Sequence, residues 1–313
     1  MGGTQNVLLR LRVDGRDLVL RRPPLRPRPR NNELILREAA VLKALGGTAV
    51  PHPRFVALCE DTAVLGSAVF FLMEAVDGFN PADGMPSGWS SGKSVEQLVY
   101  RATDALADIG ALDYEDLGLT DLGRSADFLE RQVPRWIRER ERYLGIDGYD
   151  GAPLPGFDMI RDYLAANVPA AFTPGLMHGD YHFGNLLFDC QSAQLNAVLD
   201  WEMSTVGDPL LDLGRYLALL PDQHEVVIDS GGIWKARELP PAAAIVARYT
   251  ARSGRPVDHL SWYVAMGCFK LGIILEGTYA RSRAGLAPEP IGAQLHDTAF
   301  RLFKRARRIV ETQ

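Results

Sequence analysis

The chain carries the stretch Leu176-Met177-His178-Gly179-Asp180-Tyr181-His182-Phe183-Gly184-Asn185-Leu186-Leu187-Phe188, and Asp200-Trp201-Glu202 follows after a short apolar run. Transfer of a phosphoryl group needs one carboxylate that orients the acceptor hydroxyl and takes its proton, together with oxygen ligands that hold magnesium on the phosphates. A loop with an Asp and a nearby Asn supplies the carboxylate and one of the oxygen ligands for magnesium. A hairpin then returns the chain with another Asp, so Asp180, Asn185 and Asp200 have the order and spacing of such a site.

The motif His178-Gly179-Asp180-x-x-x-x-Asn185 resembles the catalytic loop of the aminoglycoside phosphotransferases, the choline kinases and their relatives. Asp200-Trp201-Glu202 stands where protein kinases have their D-F-G metal motif, and the segment from Gly207 to Gly214 also resembles the family. The resemblance implies a kinase that uses ATP and Mg²⁺. It implies that Asp180 is the catalytic base and that Asn185 and Asp200 bind the metal.

Other residues of this region have two interpretations each. Asp180 alone could cap a turn, and its spacing to Asn185 and Asp200 favours catalysis. His178 is expected to brace the loop through hydrogen bonds, although His178 and His182 together could bind a metal. Glu202 lies either at the metal or behind it. A last pair is expected to be structural, capping a helix and holding the catalytic loop: Asp208 and Asp212.

The order of strands and helices predicts an α+β, bilobal protein-kinase-like fold with a small β-rich N-lobe and a large helical C-lobe. Residues 1–76 are assigned to the ATP-binding lobe and residues 77–313 to the helical lobe with the acceptor site. Val7–Val13 and Asp17–Arg21 are expected to form a hairpin around Asp14-Gly15. A helix is expected at 33–45, and two more strands near Phe55–Leu58 and Ala68–Met73. Helical periodicity covers 96–112, 126–144, 159–168, 242–253, 260–280 and 291–310, and the C-lobe strands are restricted to 186–188 and 197–199.

Arg21 is expected to bind the phosphates of the nucleotide. Side chains alternate across a strand, so if Val19 packs on the adenine, Arg21 enters the same cleft and Arg22 points away. A guanidinium can pair with phosphate in place of the usual lysine, although a solvated strand end is the alternative. Glu38 falls where kinases have the helix glutamate that pairs with this cation, although it could also be a surface residue.

The remaining nucleotide contacts are expected at the hinge and at a glycine loop. Backbone groups of Glu74, Ala75 and Val76 are predicted to bind the adenine edge, and Gly3 is predicted to lie over the phosphates. The strand expected before the glycine loop is missing from the sequence. Two interpretations stay open: a gene start that is placed too late, or a trimmed cover on the ATP site.

Composition excludes several classes of protein. The 313 residues carry 34 Lys and Arg against 39 Asp and Glu, a net charge of −5, so no general nucleic-acid binding is expected. Three scattered cysteines, Cys59, Cys190 and Cys268, fit neither a disulfide framework nor a zinc site. No signal peptide and no membrane-spanning apolar run is present. A cytoplasmic protein without membrane contact is therefore expected.

The acceptor is expected to be a hydroxyl group on a small molecule. His-Gly-Asp in place of His-Arg-Asp, and the lack of an A-P-E segment, disfavour a protein kinase. Thr48–Pro51, Cys59–Asp61, Trp201–Pro209 and Gly272–Gly277 resemble kinase domains that are joined to acyl-CoA dehydrogenases, which suggests a hydroxyacyl metabolite. Two alternatives stay open: a nucleotide-binding pseudokinase or regulatory module, and a true aminoglycoside phosphotransferase.

A row of arginines bears on that choice. Arg131, Arg135, Arg138 and Arg142 have helical spacing along one face. The row is either a solvated stripe paired with nearby glutamates or a border of the cleft that repels polyamines and attracts carboxylates or phosphates. We expect a neutral or anionic acceptor.

Overall fold

The N-lobe is an antiparallel sheet of four strands with one helix against it. The computed structural model describes residues 6–25, 30–87, 89, 92–221, 224, 226–228, 232–236 and 238–313. The elements of the lobe are β1 (Val7–Val13), β2 (Arg16–Arg22), α1 (Arg30–Leu45), β3 (Phe55–Cys59) and β4 (Phe70–Glu74). The strands lie in the order β1-β2-β4-β3.

The local sequence explains how this lobe forms. Asp14 and Gly15 both have positive φ, 50° and 77°, as a two-residue hairpin turn between twisted strands requires. The helix α1 buries Ile35, Ala39 and Leu42, which recur at helical spacing, and the helix contacts β2, β3 and β4. The predicted hairpin, helix and second strand pair are confirmed, within a few residues at their ends.

The C-lobe is built mainly from helices. Its helices are α2 (Gly92–Ala111), α3 (Gln132–Leu144), α4 (Phe157–Ala166), α5 (Leu210–Leu219), α6 (Ala242–Ser253), α7 (Leu260–Arg283) and α8 (Glu289–Glu311). Its strands are β5 (Gly175–Met177), β6 (Leu186–Phe188), β7 (Leu195–Val198) and β8 (Thr205–Gly207). They form two two-stranded sheets, β5 with β8 and β6 with β7. The predicted α+β, bilobal kinase-like architecture is confirmed.

Two details of the predicted C-lobe are wrong. The expectation of only two strands misses β5 and β8, because each is three residues long and too short to show alternation. The helix expected from Ala126 begins at Gln132. Asp127 has a φ of 50°, a left-handed conformation that no α-helix continues through.

The helix α7 forms the centre of the C-lobe. It is long and apolar enough to span a bilayer by length and composition, but 67% of its most apolar window is buried inside the protein. It crosses α5 at two glycines. A Cβ on Gly214 would lie 2.3 Å from the carbonyl oxygen of Tyr263, and one on Gly267 would lie 2.9 Å from Arg215 Cα. The backbones of the two helices therefore meet with no room for a methyl group.

This crossing predicts an unusual response to Gly214→Ala. In an open helix the change stabilises by about 1 kcal/mol, but here overpacking against Tyr263 should destabilise the fold by roughly 1–3 kcal/mol. Chemical denaturation measures the free energy of unfolding. The control is Gly84→Ala, where an added Cβ meets no atom within 4 Å. Equal stability of Gly214→Ala and the unmodified protein would contradict the close crossing.

Candidate active site

The loop after β5 is held by a buried carboxylate. Asp212 accepts hydrogen bonds from the backbone N–H of His178 at 2.7 Å and of Gly179 at 3.1 Å. Gly179 has a φ of 84°, and a Cβ there would lie 2.3 Å from the carbonyl oxygen of Met203. Burial raises the pKa of Asp212, and these amides and His178 oppose that shift. The loop-holding role predicted for Asp212 matches this geometry.

The imidazole of His178 ties the same loop to the end of β7. Its Nδ1 accepts a hydrogen bond from the Asp180 backbone N–H at 3.3 Å, and its Nε2 lies 2.8 Å from the carbonyl oxygen of Leu199. With Nδ1 an acceptor, Nε2 carries the proton and donates to Leu199. The ring is fully buried, and burial lowers its pKa. His178 is thus a neutral brace, as the sequence suggested.

Asp180 lies at the tip of this loop with three polar side chains around its carboxylate. Arg215 from α5 forms an ion pair with Oδ1. His182 Nε2 lies 3.5 Å from Oδ2, and Asn185 Nδ2 lies 3.5 Å from the same oxygen. Burial raises the pKa of Asp180, but the His182 hydrogen bond and the Arg215 charge outweigh it and hold the pKa well below its usual range. The carboxylate is therefore ionised and able to accept a hydrogen bond from a hydroxyl.

The hairpin of β6 and β7 brings Asn185 and Asp200 to one end. Leu186 pairs with Val198, and the Leu199 N–H donates to the Asn185 carbonyl oxygen at 2.8 Å. Asn185 Nδ2 donates to the Asp180 carbonyl oxygen at 3.0 Å, so its side-chain oxygen is left for another partner. The structure thus places the three predicted residues around one loop and hairpin.

Arg21 joins the N-lobe to this site. Its Nη2 lies 2.6 Å from Asp200 Oδ1 and 3.1 Å from Glu202 Oε2. Its Nε lies 2.6 Å from Glu38 Oε2, a close ion pair without hydrogen-bond alignment. Burial raises the pKa of Glu38 to about 8 despite the opposing Arg21 charge. Arg22 faces the other way and donates to the carbonyl oxygens of Pro23 and Leu65.

The acidic residues around Arg21 fit a magnesium ion by their chemistry. Ligand oxygens of Glu38, Asp200 and Glu202 all lie within 4.8 Å of one another. Mg²⁺ prefers carboxylate oxygens and usually keeps several waters beside substrate phosphates. Asp200 and Glu202 are partly exposed at the cleft, whereas Glu38 is buried. Asp200 and Glu202 are therefore the carboxylates of this cluster best placed to reach a metal on a bound nucleotide.

The hinge differs in part from its predicted use. The Glu74 N–H donates to the Arg54 carbonyl oxygen at 2.9 Å, and the Ala75 N–H donates to the Asp17 carbonyl oxygen at 3.0 Å. Both amides are therefore occupied by neighbouring backbone, and an adenine contact depends on Val76 and on the carbonyl groups. The side chain of Glu74 instead pairs with Arg16 and Arg54 on the surface.

Gly3 lies outside the described residues. The nearby Asn6 is described, and its Nδ2 donates to Glu202 Oε2 at 2.7 Å. The start of β1 is thus adjacent to the acidic cluster.

Sequence reasoning missed two cations at the loop after β5. Arg215 binds Asp180, and Lys270 of α7 donates from Nζ to the Gly179 carbonyl oxygen at 3.1 Å. Each is a basic residue inside a long apolar run, 210–220 for Arg215 and 260–275 for Lys270. Charged side chains are rarely buried unless they are paired. A basic residue within such a run was therefore the signal in the sequence that could have indicated a buried ionic contact.

Comparison with known proteins identifies the family of the chain. A family model described as "Phosphotransferase enzyme family" matches residues 2–252, and the chain belongs to that family. Its members transfer phosphate from a nucleotide to the hydroxyl of a small-molecule acceptor, so the protein is a phosphotransferase.

One relative is Acyl-CoA dehydrogenase family member 10 of Mus musculus, 30% identical over 299 residues. The match covers 93% of this chain but only 27% of the relative's length. The chain thus spans about a quarter of that much longer protein.

Two solved structures share the fold. The crystal structure of a candidate aminoglycoside phosphotransferase from Ralstonia eutropha superimposes with a TM-score of 0.76 at 26% identity, covering 98% of this chain and 94% of that one. A thermostable mutant of aminoglycoside phosphotransferase APH(4)-Ia, in a ternary complex with ADP and hygromycin B, gives a TM-score of 0.60 at 13% identity, covering 96% of this chain and 94% of that one. At that identity the second likeness concerns the fold alone.

The contacts of Arg21 predict unequal effects of neighbouring substitutions. Arg21→Ala should weaken binding of Mg·ATP about tenfold or more, because a charged hydrogen bond contributes roughly 1.5–3 kcal/mol. Arg22→Ala, the matched control on the opposite face of β2, should change it little. Calorimetric titration measures both, with thermal melts to show that the variants are folded. Equal losses, or a larger loss for Arg22→Ala, would reverse this assignment.

Proposed function

We propose that this phosphotransferase is an ATP- and magnesium-dependent kinase whose acceptor is a hydroxyl group on a small acyl metabolite. The observation that carries the proposal is the convergence of two sets of residues. Asp180 and Asn185 come from the C-lobe loop, and Arg21 comes from β2 to meet Asp200 of the hairpin. The proposed base for the hydroxyl therefore lies beside the arginine and the carboxylate that would bind the phosphates and their metal ion.

In this mechanism Asp180 orients the acceptor hydroxyl and receives its proton. The low pKa of Asp180 keeps the carboxylate ionised across the neutral range. Its ion pair with Arg215 makes it a weak base, which suits a loose transition state in which the proton moves late. Positioning by the loop, and not the strength of the base, then provides most of the catalysis.

On the donor side, Arg21 is the phosphate ligand and Glu38 holds it in place. Asp200 and Asn185 are the proposed metal ligands, with Glu202 beside them. A bound Mg²⁺ neutralises charge on the phosphates. Arg21 Nη2 pairs with Asp200 and Glu202, and phosphate oxygens of a bound nucleotide would replace these carboxylates as its partners.

A groove lined by both aliphatic and polar side chains supports an acyl acceptor. A cavity of about 460 Å³ beside the catalytic loop is lined by Leu219, Leu271 and Leu275. It also contains His182 and Arg215, both of which contact Asp180. Its other polar lining residues are Gln294, Asp297, Thr298 and Arg301. Aliphatic chains gain about 0.8 kcal/mol per buried methylene in such a groove. The groove therefore suits the carbon chain of a hydroxyacyl compound with its hydroxyl near Asp180.

The long relatives are consistent with such an acceptor. The relative from Mus musculus carries the name of an acyl-CoA dehydrogenase family member. A kinase segment within such a protein would act on an acyl compound that bears a hydroxyl group. This supports the hydroxyacyl proposal over a sugar or an aminoglycoside.

The direct test is a panel of hydroxyl compounds offered with Mg·ATP, with products identified by mass spectrometry. The panel contains linear hydroxy acids, their CoA thioesters and methyl esters, choline, sugars and aminoglycosides. Hydroxyacyl compounds should be phosphorylated. Asp180→Asn should lower turnover by roughly 10²–10⁴-fold, since the proton acceptor is lost, and should leave ATP affinity unchanged. Near-normal turnover of that variant, or efficient phosphorylation of an aminoglycoside, would overturn the proposal.

The metal assignment predicts a specific loss in Asp200→Asn. Removal of one carboxylate charge should weaken the magnesium site, so that turnover falls and saturation needs more Mg²⁺. A magnesium titration at fixed ATP measures the change. Asp189→Asn is the control, because Asp189 lies at the other end of the same hairpin and caps its turn. An unaltered magnesium requirement in Asp200→Asn would refute the assignment.

A further inference from the structure

A second cavity adjoins the catalytic loop and is strongly basic. It measures about 240 Å³ and lies among α1, α3, α5 and α7. Gly179 of the catalytic loop lines it, which places it next to Asp180. Its basic lining residues are Arg30, Arg37, Arg135, Arg215 and Lys270, and its acidic lining residue is Glu202.

The carboxylate at this cavity does not balance the cations. Glu202 already accepts from Arg21 at 3.1 Å and from Asn6 at 2.7 Å. Arg37 donates to the carbonyl oxygens of Leu122 and Ser204, which are neutral. Arg215 is paired with Asp180, and Asp212 and Asp180 partly offset the charge of Lys270. Among the described residues, no carboxylate forms an ion pair with Arg30, Arg37 or Arg135, so the lining keeps an excess of positive charge that would attract an anion.

Lys270 is the central cation. Its Nζ donates to the Gly179 carbonyl oxygen and lies 5.7 Å from the centre of the Trp136 ring. Burial, followed by repulsion from Arg215, lowers the pKa of Lys270 to about 8. An ammonium group has three donors, so a ligand oxygen can join the carbonyl and the aromatic face already present.

Buried donors around the same cavity have no acceptor. Among the described residues, Trp136 Nε1, Ser204 Oγ and Arg215 Nε are buried and have no hydrogen-bond partner. All three residues line the cavity. An unsatisfied buried donor costs about 1–3 kcal/mol, and oxygens of a ligand would remove that cost. Donors without acceptors, beside uncompensated cations, are what a binding site for an oxyanion requires.

We propose that this cavity binds an anionic group of the acceptor, a carboxylate or a phosphate, and that Lys270, Arg215 and Arg135 select acceptors that carry one. The inference rests on the proposed function and adds the charge of its substrate. Because Arg215 also forms an ion pair with Asp180, it would link the bound anion to the carboxylate that orients the reacting hydroxyl. Lys270 and Arg135 act as positioning residues, since they bind a part of the acceptor that does not react.

Of the predicted row of arginines at α3, one member lines this cavity. Arg135 lines the cavity and lies with its guanidinium 5.1 Å from the Trp136 ring centre. Arg131 donates to the carbonyl oxygens of Ala126 and Arg124, and Arg142 pairs with Glu139. Arg138 is exposed and outside the cavity lining, which makes it a matched control on the same helix.

The experiment assays three forms of one acceptor with each of four proteins. The proteins are the unmodified chain and the variants Lys270→Met, Arg135→Gln and Arg138→Gln. The forms are a linear hydroxy acid, its CoA thioester and its methyl ester. The acid offers a carboxylate, the thioester offers phosphates, and the ester offers no charge. KM and kcat for each acceptor, and KM for ATP, are measured at pH 7. Arg135→Gln is included because Arg135 is exposed and its replacement leaves the loop contact of Lys270 intact.

The expected result is a charge-dependent rise in KM. Lys270→Met should raise the acceptor KM about tenfold or more for the anionic form that the protein uses, with a smaller rise for Arg135→Gln and no change for Arg138→Gln. KM for the methyl ester and for ATP should stay within about twofold. Preference for the acid assigns the cavity to a carboxylate, and preference for the thioester assigns it to a phosphate.

Other outcomes overturn the inference. These are equal efficiency of all three forms, an equal rise in KM for all of them in Lys270→Met, or a rise confined to the KM for ATP. Phosphorylation of uncharged hydroxyl compounds alone would also overturn it while leaving the proposed function standing. Failure to phosphorylate any hydroxyl compound with Mg·ATP would instead refute the proposed function itself.

Discussion

The candidate active site depends on one buried carboxylate, that of Asp212. It accepts hydrogen bonds from two successive backbone amides, those of His178 and Gly179, just before the proposed base. Because burial makes unmet amides costly, this pair of bonds fixes where β5 ends and how the chain leaves it. His178 then reaches the end of β7, so the base and the hairpin with Asp200 are set by one anchored turn.

Arg21 is a central contact between the N-lobe and this frame, beside the contacts that Asn6 and Arg37 make with Glu202 and Ser204. Arg21 reaches Glu38 behind it and Asp200 before it, linking β2, α1 and the hairpin. A buried charge that loses a partner destabilises strongly, so the alignment of the lobes is coupled to this cluster. Arg21, the proposed phosphate ligand, therefore also stabilises the contact between the lobes. Nucleotide phosphates would bind at a site whose residues are already in contact.

The sequence predicted the site residues that lie close together along the chain, but not those that only tertiary packing brings to the site. Asp180, Asn185 and Asp200 lie within one loop and hairpin, whose spacing alone predicts their proximity. The opposite directions of the Arg21 and Arg22 side chains were predicted from the alternation of side chains along β2. Arg215 and Lys270 could not be placed in this way, because they reach the loop only through the close crossing of α5 and α7, a tertiary contact set by Gly214 and Gly267. At the hinge, the sequence did not reveal that the backbone carbonyl groups of Asp17 and Arg54 occupy two of the amides, because these bonds depend on how distant segments pair.

Arginine at position 21 also affects how this protein can be detected. Nucleotide probes that acylate a lysine beside the bound phosphates require an amine whose proton can be lost near neutral pH. A guanidinium stays protonated and is a poor nucleophile under those conditions. The cation at the acidic cluster offers no amine to such reagents. Chemical surveys of kinases that rely on lysine acylation would therefore overlook this chain at that position even when its nucleotide site is occupied and working.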